Sequence, residues 1–372
     1  MLYLDNSATT QMYPEVKEAM IPYLYEEFGN PSSKYYTLAE NAKIAVEKAR
    51  KSVAELLGCH SSEIIFTSGS TESNNMVIKG VADYYSDKGN HIITTKTEHP
   101  SVIEVCKYLE NKGFDITYLD VDKYGRINID DLKNAINEDT ILVSIIWGNN
   151  ELGSLNDMKK IQEICQENNV FLHTDATQVV GKLNFKLKDY PGITFLSLSA
   201  HKFHGPKGIG ACYIKADKYG ILTKLTPLLH GGGQEQELRS GTLAVHNIVG
   251  LGKAAEITSN HLLENIQKLE ELESYLRDLL SNKFSEHIAF NSDIKNKIPG
   301  ILSVQFKGLN NEVLVKKLAP IMAVSTGSAC SSSKPSHVLS AIGLSMQEIR
   351  STIRISLSHT INKEDLDIFK KL

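Results

Sequence analysis

Short apolar runs of strand length recur along the first half of the chain. Each is followed by a polar turn and then by apolar residues at helical spacing. Leu2 to Leu4 alternates weakly and predicts a short strand, after which Asp5-Asn6-Ser7-Ala8-Thr9-Thr10 reads as a loop whose polar groups could face a ligand. A helix is predicted from Pro14 to about Glu27, because proline fits a first helical turn and Val16, Met20 and Leu24 recur at helical spacing. Gly29-Asn30-Pro31-Ser32-Ser33 stops it, and a second helix covers Leu38 to Leu57. Strands are predicted over Glu63–Thr67, His91–Thr95, Asp115–Leu119, Ile141–Trp147, Val170–Thr174 and Ile193–Leu198, with helical patterns near Met76, Ile129 and Asp157. Strand, polar turn and helix in repetition through about residue 215 predict an α/β fold with a mostly parallel sheet covered by helices on both faces. From Leu243 to about Phe284 helical periodicity dominates, and its leucine stripe (Leu262, Leu269, Leu272, Leu276) predicts core packing and a bridge to a second unit. Runs at Pro299–Phe306 and Ser351–Leu357, a helix over Asn311–Leu318 and a closing helix from Lys363 predict that unit to be a smaller α+β domain. The expected division is 16–258 for the large domain and 1–15 with 259–372 for the small one.

The length of 372 residues agrees with two units, since single cores seldom grow that large. A net charge of −4 with no long basic run leaves no footprint for nucleic acid or an anionic membrane, so small molecules and proteins are the expected partners. No apolar segment approaches the ~20 residues that span a bilayer, and Met1-Leu2-Tyr3-Leu4-Asp5 lacks a signal-peptide pattern, so the chain reads as cytoplasmic. The five cysteines, Cys59, Cys106, Cys165, Cys212 and Cys330, are widely separated, with no paired spacing for zinc or a disulfide framework. No metal is expected, and at least one thiol is free to work.

The chemistry concentrates on turns after strands. Lys202, in Ser197-Leu198-Ser199-Ala200-His201-Lys202-Phe203-His204-Gly205-Pro206-Lys207-Gly208, follows the run Ile193 to Leu198. Burial and the cationic neighbours His201 and Lys207 would depress its pKa enough for covalent work. Asp175 ends the strand before it; alone it reads equally well as a helix cap, but a Schiff-base lysine with a carboxylate for a pyridinium nitrogen is the arrangement pyridoxal 5'-phosphate requires. Ser68-Gly69-Ser70-Thr71-Glu72-Ser73-Asn74-Asn75 opens a helix and suits a phosphate. Taken alone, Ser70 or Thr71 is better read as an N-cap. His99 occupies a third such turn, where an imidazole can stack on a flat cofactor and move protons, and Asn149-Asn150 offers a hydrogen-bonding edge. Successive turns of a parallel sheet lie on one edge, so these residues are expected to meet in one crevice. Cys330 sits in Val324-Ser325-Thr326-Gly327-Ser328-Ala329-Cys330-Ser331-Ser332-Ser333-Lys334-Pro335, a long small-residue loop, whereas free cysteines are usually buried. A nucleophile that visits two places needs such a tether.

The motifs Asp5-Asn6-Ser7-Ala8-Thr9-Thr10, Gly29-Asn30-Pro31-Ser32-Ser33, Thr67 to Asn75, Asn149-Asn150-Glu151-Leu152-Gly153 and the Lys202 turn resemble those of the cysteine desulfurases in order and spacing along nearly the whole chain. Ser325-Thr326-Gly327-Ser328-Ala329-Cys330 resembles the branch that serves nitrogen fixation and iron–sulfur cluster assembly. The resemblance implies a fold-type I homodimer with a seven-stranded sheet, dependent on pyridoxal 5'-phosphate, that converts L-cysteine to L-alanine and keeps the sulfur as a persulfide on Cys330. It further implies that Lys202 carries the cofactor, Asp175 faces its ring nitrogen, Gln178 reaches its phenolic oxygen and His99 stacks on it. Ser70, Thr71, Ser199 and His201 would hold the phosphate, with Thr242 contributed to the neighbouring subunit's site. Arg354, Asn150 and Asn6 would serve the substrate. Only Ser331 to Lys334 separate Cys330 from Pro335, fewer than relatives often have, and Ala200 stands where glycine is usual. A shorter tether leaves the acceptor as either a cluster scaffold or a tRNA-thiolation enzyme. The rivals are a selenocysteine lyase or another class V aminotransferase-like enzyme, and a non-catalytic sulfur-pathway scaffold.

Overall fold

The computed structural model describes residues 1–327 and 335–371, so Cys330 lies outside the described residues. Seven strands form the main sheet: β2 (Ile64–Thr67), β3 (His91–Thr95), β4 (Asp115–Leu119), β5 (Thr140–Ser144), β6 (Phe171–Asp175), β7 (Phe195–Ser199) and β8 (Gly210–Ile214). Their order is β2-β8-β7-β6-β5-β3-β4, and only β8 runs antiparallel to the other six. β2, β3, β5, β7 and β8 are buried throughout, and β6 at all but its first residue, the mark of a sheet covered on both faces. One apolar cluster, reached by Val46, Val53, Trp147, Ile161 and Leu251, packs helices Thr37–Leu57 and Met158–Glu167 on one face. Another, built on Met76, Val81, Val102 and Leu109, packs Ser70–Tyr84 and Pro100–Glu110 on the other.

Beside this sheet, β9 (Ile288–Phe290), β10 (Ile301–Phe306) and β12 (Thr352–Ser356) form an antiparallel sheet in the order β12-β10-β9, and β1 (Leu2–Tyr3) pairs in parallel with β11 (Met322–Ala323). They share a separate core with Leu4, Leu269, Leu276, Leu302 and Ile355. The helix Val245–Phe284, 40 residues long, contributes Leu251 and Ala255 to the first core and Leu269 to Leu280 to this one. It is the expected bridge. No described helix is long and apolar enough to cross a membrane.

The helix expected over Pro14 to Glu27 is broken. Pro14–Met20 ends at Ile21, and Pro22–Tyr25 begins anew at Pro22, whose missing N–H cannot continue the ladder but suits a first turn. β8 was not foreseen as an element, because it follows β7 without a helix between.

The catalytic-face cavity

Every parallel strand that meets the site delivers a side chain at its C-terminal end. The chain leaves β3 outward to β4 and returns at β5 to build inward through β6 and β7, so β3 and β5 part there and open a crevice. A cavity of about 390 Å³ occupies this edge and is lined by Ser70, Thr71, His99, Asn150, Asp175, Gln178, Ser199, His201, Lys202 and Arg354. Sequence distance is thus erased by topology, as the turns predicted.

At one end the helix Ser70–Tyr84 points its N-terminus into the cavity with no side-chain cap. Ser70 and Thr71 are therefore first-turn residues, and neither serves as the cap that each alone resembles. The cap position is Gly69, at φ +150°, where a Cβ would stand 3.2 Å from Ser199 Oγ and fill the cradle. Ser199 Oγ accepts from Ser70 N at 2.8 Å and donates to Ser70 Oγ at 3.1 Å. Uncapped N–H groups, hydroxyls and a positive helix end fit a phosphate. Glu72 lines the same end, but Arg239 Nε donates to it at 2.8 Å and Ser68 N at 2.8 Å. Burial pulls its pKa up, these donors outweigh burial, and it stays below its ordinary value. His201 bonds Thr9 Oγ1 through Nδ1, and burial with Lys202, Lys207 and Lys182 lowers it to about 4, so it is neutral near pH 7.

At the centre, Lys202 Nζ donates to the carbonyls of Ser7 and Ala8 at 2.6 and 2.7 Å. Gln178 Nε2 also donates to Ser7 O at 2.8 Å, while Lys182, buried and lowered to about 7 chiefly by that burial, donates to Gln178 Oε1 at 2.9 Å. Asp175 Oδ2 accepts from Asn74 Nδ2 at 2.9 Å, whose second hydrogen goes to Ser101 Oγ at 2.8 Å. Ser101 N in turn donates to His99 Nδ1 at 3.2 Å, and its hydroxyl bonds the same nitrogen at 2.8 Å. A ring nitrogen that accepts from a main-chain N–H carries no proton, so the neutral imidazole holds its hydrogen on Nε2. Burial lowers the His99 pKa, Asp175 opposes this, and Lys202 and His337 add to it. Carboxylate and imidazole are thus fixed by one chain, Asp175–Asn74–Ser101–His99.

At the far end, Arg354 of β12 is 1% exposed. Its Nη1 donates to Asn150 O and Gly327 O, both at 3.0 Å, and its Nη2 to Asp5 Oδ1 at 2.8 Å. Its Nε is buried with no partner among the described residues. Nε is left to take an anion, and a carboxylate would match its fork with Nη2 by sharing the nitrogen that already serves Asp5. A buried unpaired donor is costly, which argues for a ligand there.

Asn6 is not brought to this cavity: its Nδ2 donates to Ser356 O at 2.9 Å and it lines a small space of about 20 Å³ behind Lys202. Thr242 is exposed and lies outside the cavity. Asn74, Ser101, Glu151, Lys182 and His337, given no role from the sequence, belong to the site or support it. Asn74, one helical turn after Ser70, carried the only readable signal, a polar side chain facing the strand ends.

The aminotransferase class-V family profile matches residues 2–369. The cysteine desulfurase IscS of Buchnera aphidicola subsp. Baizongia pistaciae is 46% identical over 370 residues, covering 98% of this chain and 90% of that protein. The protein of the same description from Dictyoglomus turgidum is 45% identical, covering 98% and 92%. Among solved structures, a NifS-like protein superposes with a TM-score of 0.92 at 38% identity, covering 100% of this chain and 97% of the other. One described as SspA in complex with cysteine gives 0.83 at 38% identity, covering 96% and 99%.

Proposed function

We propose, for a chain that belongs to the aminotransferase class-V family and within it to the cysteine desulfurases, that it uses pyridoxal 5'-phosphate to convert L-cysteine to L-alanine and retains the sulfur on Cys330. The observation that carries this reading is the convergence of Lys202, Asp175, His99 and Arg354 on one cavity whose phosphate-like end is already built.

Ser70, Thr71, Ser199 and His201 would hold the cofactor's phosphate, Asp175 its ring nitrogen, Gln178 its phenolic oxygen, and Lys202 its carbonyl carbon. When bound, this cofactor supplies an electron sink that lets a Cα proton leave and a bond to sulfur break. Arg354 orients the substrate carboxylate through Nε and Nη2, next to the Asn150 edge. The Lys202 amine would serve as the base at Cα, and His99 would deliver protons from Nε2. The Cys330 thiolate attacks the substrate sulfur. The Cβ–S bond breaks with its electron pair left on carbon, where a proton replaces sulfur, and an S–S bond forms on Cys330. Alanine and persulfide balance cysteine and thiol without an outside oxidant.

We further assign the enzyme to the cytoplasm and to a homodimer, each chain of which divides into a large domain at 16–258 and a small one at 1–15 with 259–372. The persulfide passes to an acceptor protein, either a cluster scaffold or a tRNA-thiolation enzyme. The test is to incubate holoenzyme with L-cysteine, measure alanine, and weigh the Cys330 peptide. One added sulfur atom is expected, and Cys330→Ser should abolish alanine formation while keeping the visible absorbance of the bound cofactor. Alanine formed at an undiminished rate by Cys330→Ser would favour a lyase or aminotransferase and sink the desulfurase reading.

A further inference from the structure

The loop after β5 buries a carboxyl group at the rim of the cavity. Glu151 is 3% exposed, and Asn149 Oδ1, which accepts from the backbone N–H of both Glu151 and Leu152 at 2.9 Å, fixes its main chain. Its Oε2 meets two residues far from it in sequence. Ser336 Oγ donates to it at 2.6 Å, and Gly327, at φ +99°, packs so closely that a Cβ there would stand 2.8 Å from the same oxygen. These residues flank the segment that carries Cys330, one on each side.

Other contacts hold the same two points. Gly327 O accepts from Arg354 Nη1 at 3.0 Å, and the backbones of Ser325 and Arg354 are paired. On the other side Ser336 caps the short helix His337–Ala341, whose Val338 and Leu339 pack against Leu152, and His337 Nε2 bonds Glu98 O at 2.9 Å. Burial raises the Glu151 pKa, while the Ser336 hydroxyl, Arg354 and His337 oppose the rise. A turn needs no such group, since a neutral residue would meet its backbone demands without a buried carboxyl.

We propose that Glu151 is a positioning residue for sulfur transfer: one carboxylate oxygen accepts from Ser336 and packs against Gly327 at the cavity rim, beside the arginine that orients the substrate. The described residues on either side of Cys330 are thereby fixed at the rim of the cavity that would receive the substrate. Orientation of this kind is worth orders of magnitude, and displacement by about 1 Å can cost 10²-fold.

The inference rests on the desulfurase reading, and single-turnover measurements separate the two. Holoenzymes of wild type, Glu151→Ala, Glu151→Gln and Ser336→Ala are mixed with L-cysteine. The absorbance change reports substrate engagement, and the mass of the Cys330 peptide over time reports sulfur transfer. Glu151→Ala should slow persulfide formation by about 10- to 100-fold with the absorbance response within about threefold of wild type. Glu151→Gln, whose amide oxygen still accepts from Ser336, should recover most of the rate, and Ser336→Ala should show a smaller selective loss. Persulfide formed by Glu151→Ala at the wild-type rate, or both readouts falling together, overturns the proposal. If Glu151→Ala does not fold, Ser336→Ala decides on the same criteria. A wild-type protein that gains no sulfur overturns the desulfurase reading itself, and does so without reference to any variant.

Discussion

Glu98 places a carboxyl group beside the turn that carries His99, wholly enclosed. Its Oε1 accepts from Thr95 Oγ1 at 2.9 Å and from Ile146 N at 2.8 Å, and its Oε2 has no partner among the described residues. Burial raises its pKa to about 8, with the Asp175 charge adding to the effect. The folded chain therefore holds a proton that the unfolded chain has lost above about 4.5, the group's ordinary value. The folded state is favoured below that value, and the advantage fades as pH rises toward 8. Glu98→Gln, neutral and of the same shape, should match wild-type stability near pH 4.5 and exceed it by about 4 kcal/mol at pH 8, read from denaturant unfolding at the two pH values. Glu98 also marks a boundary of sequence reading. Lys202, Asp175, His99, Ser70 and Thr71 were legible because each ends or follows a strand and carries chemistry in its own side chain, whereas Ser199 and His201 came as phosphate ligands from the family resemblance. Glu98 and Glu151 were not, because each acts on a partner dozens of residues away or more, and only the fold makes them neighbours.

The helix Ser70–Tyr84 owes its binding end to a residue with no side chain. Gly69 supplies φ +150°, which side-chain-bearing residues rarely adopt, and the open space against Ser199 Oγ. Gly69→Ala should cost about 1–3 kcal/mol of stability and loosen cofactor binding about tenfold, measured by titrating the apoprotein and following visible absorbance. An affinity equal to wild type would show that this turn does not hold the phosphate. Elements set by long, regular periodicity, such as Thr37–Leu57, Asn311–Leu318 and Val245–Phe284, fall within a residue or two of expectation. Those set by backbone exceptions do not. Val16, Met20 and Leu24 keep helical spacing across Pro22, so the apolar pattern reads straight through a break that the missing N–H enforces. β8 lacked a signal of another kind: its apolar run is short, and its antiparallel place between β2 and β7 follows from pairing alone.

The molecule joins two cores through the Val245–Phe284 helix, and Arg354 of the smaller one reaches across to the turns of the larger. A site shared between units in this way need not end at one chain. Thr242, expected at a phosphate, is exposed and absent from its own protomer's cavity, as it would be if it completed the site of a second copy. Hybrid dimers test this. Lys202→Ala and Thr242→Ala proteins should each be defective alone, the first for want of its amine and the second through weakened cofactor binding. If Thr242 acts across the dimer, a hybrid holds one site with Lys202 intact and Thr242 supplied by the Lys202→Ala chain, and that site is wholly wild type. Mixing the two variants under conditions that exchange subunits should then restore up to about half the wild-type activity per hybrid dimer. If Thr242 serves only its own chain, neither site of the hybrid is complete, and mixing should leave activity at the mean of the two parents.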